Sequence, residues 1–177
     1  MAVVNKPIVF QVVGYQNSGK TTLVKKIIEQ LTARSFSVAT IKHHGHGGKP
    51  DTMEDKDSSG HISAGALASL VEGDGRILLQ AEKTTWAISE QLAILGTLQP
   101  NMIIIEGHKN EDYPKVVILR TIEDKELLEK LSNIKAVIYW DESLTREKNK
   151  FSSIPFFSIH DEQACEWVCA WLTKQCN

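Results

Sequence analysis

The sequence feature that most constrains this chain is the glycine-rich stretch at residues 14–21, Gly-Tyr-Gln-Asn-Ser-Gly-Lys-Thr. It fits the pattern G-x-x-x-x-G-K-(S/T) of a phosphate-binding P-loop at every fixed position. The mostly apolar residues 8–13 before it predict a strand, and apolar side chains from Leu23 to Leu31 recur on one face of a helix beginning near Lys20. Strand, glycine loop and helix in this order predict a nucleoside triphosphate site rather than an ordinary glycine-rich turn.

Each part of this loop has a physical role in holding phosphate. Free backbone N–H groups and the helix dipole create positive potential at the helix start. Gly14 and Gly19 permit close backbone approach, Lys20 supplies a charge for the β and γ phosphates, and the Thr21 hydroxyl suits Mg2+. The predicted nucleotide-binding residues of the loop are Gly14, Tyr15, Gln16, Asn17, Ser18, Gly19, Lys20, Thr21 and Thr22.

A second strong signal is residues 101–107, where the continuously apolar residues 102–105 are followed by Glu106 and Gly107. Such a run predicts a strand buried on both faces, as in the centre of a parallel sheet. An acidic side chain at the tip of such a strand is the Walker-B arrangement, in which the carboxylate faces Mg2+. We therefore predict Glu106 as a metal-binding residue and, together with Lys20, as a catalytic residue. A strand that merely happens to end in Glu-Gly is the alternative.

The polar loop at residues 42–51 carries three histidines, His43, His44 and His46, after a predicted strand at residues 37–41. No cysteine pair or H-x-x-x-H spacing lies nearby to complete a zinc site. We interpret the loop as a contact for phosphates, a second ligand or a partner, and keep a transition-metal site and a plain solvated loop as alternatives. The predicted second-ligand or switch residues are Lys42, His43, His44, His46, His108 and Lys109.

Asp57 is a further candidate ligand for Mg2+, directly or through water. The same carboxylate could instead cap a helix that we predict from about residue 59 to residue 70. A β-hairpin is predicted around residues 73–75, followed by a short strand at Trp86 and a helix capped by Ser89 that runs to about Leu98.

These elements predict an α/β fold, namely a three-layer P-loop NTPase fold with a mostly parallel central sheet and an added β-hairpin. The length of 177 residues fits one nucleotide-binding domain over residues 1–177. A net charge of -2 without a basic block argues against nucleic-acid binding, and no apolar run approaches the ~18 residues of a membrane span. Three cysteines bunched near the end of the sequence fit a reducing cytosol, so we expect a cytoplasmic protein.

The nucleobase does not follow from the residues alone, because no guanine-specific N-K-x-D motif is present. Asp141, after a late predicted strand, is the candidate acceptor for guanine N1 and N2, and an ordinary loop aspartate is the alternative. Nucleotide kinases gather several arginines around the transferred phosphoryl group. The four arginines of this chain form no arginine-rich segment, which disfavours a kinase.

Taken together, these motifs resemble the molybdopterin-guanine dinucleotide biosynthesis protein B (MobB) family. The resemblance rests on the P-loop through Leu23, residues 40–46, Lys56-Asp57-Ser58 followed by Ala64-Gly65-Ala66, and residues 103–109. These segments occur in the family's order and cover most of the chain to about Arg120, whereas the last third matches only in pattern.

The resemblance implies a GTP-binding protein with weak GTPase activity that assists a partner molybdopterin guanylyltransferase in attaching GMP to molybdopterin. It also implies a homodimer in which the hairpin extends a sheet across subunits. The expected cofactors are GTP and Mg2+, with molybdopterin as a candidate second ligand. We expect turnover below ~1 per second without a partner, because no general base or water-positioning glutamine stands out. A metal-delivery GTPase and a non-hydrolytic GTP-binding adaptor remain the competing interpretations.

Overall fold

The computed structural model describes residues 6–43 and 57–176, with only the backbone described for residues 57–59. It separates into two compact units: Met1–Gly45 with Leu92–Asn177 form the first, and His46–Gln91 form the second. The single nucleotide-binding domain expected over residues 1–177 stays a prediction.

The regular elements alternate between strands and helices along most of the chain. In chain order they are β1 (Ile8–Gly14), α1 (Lys20–Thr32), β2 (Val38–Lys42), α2 (Asp57–Ser63), β3 (Ala68–Gly73), β4 (Arg76–Ala81), α3 (Ile88–Gly96), β5 (Met102–Glu106), β6 (Lys115–Leu119), a 3-10 helix (Ile122–Lys125), α4 (Glu126–Lys130), β7 (Ile134–Tyr139), a second 3-10 helix (Glu142–Asn149), β8 (Phe156–Ser158) and α5 (Gln163–Gln175).

A six-stranded sheet in the order β2-β5-β1-β6-β7-β8 forms the centre of the first unit. All five neighbouring pairs are parallel. β5 and β6 are fully buried, which explains why their sequences are apolar without alternation. The sheet confirms the predicted α/β fold with a mostly parallel central sheet.

Two hydrophobic clusters cover the two faces of this sheet and give the three layers. On one face α1 contributes Leu23, Val24, Ile27 and Leu31, and α5 packs beside it through Val168 and Leu172 among others. On the opposite face Leu127 and Leu128 of α4 and Leu144 of the second 3-10 helix pack against β6 and β7. Trp167 and Trp171 of α5 pack against the first cluster, as expected for core residues.

The second unit contains α2 and an antiparallel hairpin of β3 and β4, which confirms the predicted hairpin. The predicted helix over residues 59–70 is too long, because α2 ends at Ser63. Gly65 adopts a left-handed backbone with φ 103°, and the Ala66 N–H donates to His61 O at 3.0 Å. This is the hydrogen-bond pattern that closes a helix at a glycine. The Ala64-Gly65-Ala66 segment therefore ends α2 instead of continuing it.

Two other local predictions are also wrong. Trp86 lies outside any strand, and α3 begins at Ile88 with the Ala87 N–H donating to Glu90 Oε2 at 2.9 Å, so Ser89 lies inside the first turn and is not the cap.

The segment between β6 and β7 forms a 3-10 turn and the short α4. A capping box between Thr121 and Asp124 starts this 3-10 turn, and the tighter turn leaves only five residues for α4.

Within residues 6–43 and 57–176, no helix combines the length and apolar character that crossing a membrane requires.

Candidate functional site

The P-loop occupies the turn from the end of β1 to the start of α1. A Cβ placed on Gly14 would lie 2.6 Å from Ile118 O and 2.7 Å from Ser18 Oγ, which is closer than real Cβ atoms come to other heavy atoms. Gly19 adopts φ 98°, in the left-handed region that side chains rarely enter. The two fixed glycines of the motif are therefore required by the loop itself.

The start of α1 presents free backbone donors beside this loop. The first hydrogen bond of the helix runs from the Leu23 N–H to Gly19 O at 3.0 Å. The N–H groups of Lys20, Thr21 and Thr22 precede this bond and have no acceptor within the helix. Such groups, aligned with the helix dipole, favour an anion.

Lys20 lies partly buried beneath the loop, and its Nζ donates to Tyr15 O at 2.6 Å. Burial lowers the pKa of this ammonium, Glu106 acts in the opposite direction, and Lys42 lowers it further. The carbonyl contact holds the Lys20 side chain folded back along the loop. The charge is therefore already positioned next to the backbone that a phosphate would approach.

Thr21 in the first turn of α1 meets Glu106 and Lys42, the last residues of β5 and β2. The Thr21 hydroxyl donates to Glu106 Oε1 at 2.7 Å. Lys42 Nζ lies 3.3 Å from the same carboxylate oxygen and 3.3 Å from Thr21 Oγ1. The strand register explains the meeting, since β5 pairs Glu106 with Val12 of β1 and with Lys42 of β2. One ammonium thus sits against the two oxygen groups that the sequence predicted as metal ligands.

The turn after Glu106 is fixed by Gln11, a buried polar residue of β1. Its amide nitrogen donates to His108 O at 2.7 Å and to Gly107 O at 3.2 Å. The Gly107 N–H donates to Val12 O at 3.0 Å, and the His43 N–H donates to Glu106 O at 3.0 Å. These bonds hold the backbone on both sides of the Glu106 carboxylate, which remains largely buried.

His43 and His108 lie together at this edge, with ring centroids 4.6 Å apart. Burial lowers the pKa of His108, and the neighbouring His43 lowers it further. Lys109 turns to the P-loop, where its Nζ lies 4.7 Å from the centroid of the Tyr15 ring. The Tyr15 hydroxyl in turn donates to Glu126 of α4, and this bond raises the pKa of the tyrosine.

Three predicted site residues have no described side chain. His44 and His46 lie outside the described residues, and Asp57 begins α2 in the second unit with its side chain outside the described part. Asp141 caps the second 3-10 helix, where its Oδ1 accepts the Ser143 N–H at 2.8 Å. This bond lowers the pKa of Asp141. Among the described residues, no group of three or more histidine, cysteine or acidic side chains could hold a metal ion.

Two contributions to the site were missed by sequence reasoning. Lys42 was predicted as a second-ligand or switch residue, but its direct contacts with Glu106 and Thr21 were not foreseen. Trp140 at the end of β7 donates a hydrogen bond to the P-loop through its indole N–H. The position of Trp140 directly before the candidate Asp141 was the one signal that could have drawn attention to it.

Comparison with known proteins agrees with this arrangement of loop, strand end and sheet. The family model of molybdopterin guanine dinucleotide synthesis protein B (MobB) matches residues 9–140. A relative from Bacillus subtilis (strain 168), described as a probable molybdopterin-guanine dinucleotide biosynthesis adapter protein, is 38% identical over 173 residues and covers 97% of each chain. The chain belongs to the MobB family.

Solved structures of MobB proteins share its fold along nearly the whole chain. The crystal structure of Bacillus subtilis MobB matches with a TM-score of 0.76 and 36% identity, covering 92% of this chain and 96% of that one. The MobB homolog from Bacillus stearothermophilus matches with a TM-score of 0.72 and 33% identity, covering 94% of this chain and 98% of that one. The similarity includes the last third of the chain, which the sequence motifs matched only in pattern.

The close contact at Gly14 leads to a prediction about stability. Gly14→Ala should lower the free energy of unfolding by about 1–3 kcal/mol, because the added methyl group must displace the Ile118 carbonyl or the Ser18 hydroxyl. Gly96→Ala is the matched control, since a Cβ at Gly96 meets no atom within 4 Å. Urea denaturation followed by circular dichroism measures both variants. Equal stability of the two would contradict the close packing of this loop.

Proposed function

We propose that this MobB-family protein binds GTP·Mg2+ on its P-loop and acts as an adapter in the attachment of GMP to molybdopterin. The observation that carries the proposal is the meeting of Lys20, Thr21 and Glu106 at one end of the parallel sheet. Ligands in open α/β sheets bind outside the carboxyl ends of the strands. The Bacillus subtilis relative is described as an adapter, which supports a role beside a partner enzyme. The expected partner is the molybdopterin guanylyltransferase.

The residues around Glu106 fit a magnesium ion. Mg2+ prefers oxygen ligands and is usually held by one or two protein groups together with phosphates and water. Thr21 Oγ1 and Glu106 Oε1 are such groups, and the Lys42 ammonium beside both supports the view that this position attracts a cation. In the proposed site, Thr21 and Glu106 hold the metal directly or through water, and Mg2+ neutralises phosphate charge. Asp57 stays a proposed additional ligand.

Lys42 connects this cation position to the histidine loop. Lys42 Nζ lies 3.3 Å from both Glu106 Oε1 and Thr21 Oγ1, so a cation held by these two residues would repel the Lys42 ammonium. Lys42 is the last residue of β2 and directly precedes His43. The proposed second-ligand or switch group, Lys42, His43, His44, His46, His108 and Lys109, would respond to the γ-phosphate. Molybdopterin is the candidate second ligand of this group.

Hydrolysis of GTP by this site is expected to be slow and secondary to binding. Fast GTPases supply an arginine or a positioned glutamine to the transition state. In the described residues the charged contacts of Glu106 come from Lys42, and Gln11 is engaged with the Gly107 and His108 carbonyls. The description of the Bacillus subtilis relative as a probable adapter protein favours the adapter over the metal-delivery GTPase.

Nucleotide binding is the direct test of this proposal. Calorimetric titration with GTP·Mg2+ and ATP·Mg2+ should show a preference for GTP. Lys20→Ala should weaken binding by about 10- to 100-fold, because a charge-assisted phosphate contact is lost. Lys25→Ala is the control, since Lys25 is an exposed lysine of the same helix.

Two outcomes would count against the proposal. If ATP bound as tightly as GTP or more tightly, GTP would no longer be supported as the ligand of this site. Equal binding by wild type and Lys20→Ala, or no binding by either, would contradict the use of the P-loop as a phosphate site.

A homodimer through the hairpin forms the second part of the proposal. Leu70, Val71, Ile77, Leu78 and Leu79 are each between 44% and 58% exposed. Leu70 pairs with Leu79 and Val71 with Leu78, and adjacent pairs point to opposite faces of a hairpin. A two-stranded hairpin with apolar residues on both faces is a typical association surface. We propose that it extends a sheet across two subunits.

The oligomeric state tests this interface. Wild type should sediment as a dimer in analytical ultracentrifugation, and Val71→Glu with Leu79→Glu should sediment as a monomer, because buried unpaired carboxylates are costly. Arg76→Glu, an exposed charge change at the hairpin turn, should remain dimeric. A wild-type monomer, or a doubly substituted dimer, would exclude the hairpin as the interface.

A further inference from the structure

Trp140 is anchored to the P-loop by a hydrogen bond. Its indole N–H donates to Ser18 O at 2.9 Å. The ring also lies beside Gly19, since a Cβ placed on this glycine would be 3.6 Å from the Cζ2 atom of the ring and 4.0 Å from Nε1. Both of these atoms belong to the Nε1–Cζ2 edge of the ring. The edge of the indole therefore faces the loop, and its faces point to the sides.

This anchored tryptophan is nevertheless 41% exposed. Its only polar atom is already satisfied by Ser18, so the exposed part is aromatic carbon. The His160 ring lies 5.8 Å away at 82°, in an edge-to-face arrangement. Ile159 completes the patch, since its Cδ1 lies 3.9 Å from the same Gly19 Cβ position. Because the exposed ring is already held in place, little side-chain conformational entropy is lost when a flat ligand stacks on it.

The sheet order places this patch on the far side of the P-loop from Glu106. In the order β2-β5-β1-β6-β7-β8, Glu106 ends β5 on one side of β1, and Trp140 and Ile159 follow β7 and β8 on the other. A nucleotide whose terminal phosphates face Glu106 reaches this patch when its ribose and base extend across the P-loop towards β7 and β8. The aromatic patch lies at the end of the sheet where that base arrives.

We propose that Trp140, with Ile159 and His160 beside it, is the platform on which the nucleobase stacks. This inference rests on the proposed nucleotide site and adds the base-binding surface to it. Every base has a π face, so the platform strengthens binding of guanine and adenine alike. The choice between these two bases falls on other groups, such as the neighbouring Asp141.

The test compares a ligand that has a base with one that lacks it. Binding of GTP·Mg2+, ATP·Mg2+ and tripolyphosphate·Mg2+ is measured by calorimetry for wild type, Trp140→Leu and Trp140→Phe. Trp140→Leu should weaken both nucleotides by about 5- to 100-fold and change tripolyphosphate affinity by less than about threefold, because the ring stacks only on a base. Trp140→Phe keeps an aromatic face and should recover most of the nucleotide affinity.

Intrinsic fluorescence gives a second readout that does not depend on the leucine variant. GTP should change the tryptophan emission of wild type, and this change should be largely lost in Trp140→Phe. Tripolyphosphate should produce a much smaller change. Trp171→Phe is the control, since Trp171 packs against Phe10 in the core with ring centroids 5.4 Å apart. This variant should keep the GTP signal.

The outcomes separate the platform from the P-loop itself. Equal losses for GTP and tripolyphosphate in Trp140→Leu would show that the ring only shapes the loop and would overturn the platform. Unchanged nucleotide affinity in Trp140→Leu would overturn it as well. If wild type bound neither tripolyphosphate nor a nucleotide, the proposed phosphate site would fail first and the platform with it.

Discussion

Parallel pairing of β1 with β5 determines where chemistry can occur in this chain. The register aligns Val12 with Glu106, the last residue of β5. The Glu106 carboxylate therefore lies level with the end of β1, just before the P-loop. β2 pairs with the other edge of β5 in the same direction and brings Lys42 to the same height. Without this alignment the hydroxyl of Thr21 and the carboxylate of Glu106 could not form their 2.7 Å hydrogen bond.

The electrostatics of the site follow from this geometry. Two lysines, Lys20 and Lys42, act on one largely buried carboxylate, and burial together with Lys42 lowers the pKa of Lys20. Among the contacts described above, these two positive charges face one negative charge, the carboxylate of Glu106. The proposed triphosphate would supply further negative charge, which would account for a crowded cationic cluster beside a helix N-terminus.

The sequence predicted those parts of the fold that depend on local pattern. β1, the P-loop, α1 and β5 were found because their apolar periodicity and glycine spacing reflect local rules and strong burial. Local pattern misled where a glycine ends a helix: Gly65 closes α2, although the sequence predicted a helix continuing to about residue 70. Ser89 was predicted as the helix cap, whereas the Glu90 carboxylate accepts the Ala87 N–H just before the helix.

The missed parts of the site depend on contacts between residues far apart in the chain. Trp140 reaches Ser18 across 122 positions, and Lys42 meets Thr21 and Glu106 only because three strands align. No spacing rule in one sequence encodes such meetings. Asp141 follows a late strand, as predicted. The sequence alone did not show that its side chain accepts the Ser143 N–H and caps a helix.

The central claim is that Thr21 and Glu106 serve one nucleotide-bound Mg2+ beside the P-loop. A crystal structure of the protein with Mg2+ and a non-hydrolysable GTP analogue tests it most directly. The account predicts the triphosphate over residues 14–21, the metal near Thr21 Oγ1 and the Glu106 carboxylate, and Lys42 Nζ moved away from the 3.3 Å contact with Glu106. A triphosphate bound elsewhere, or a metal without Thr21 and Glu106 around it, would contradict the account.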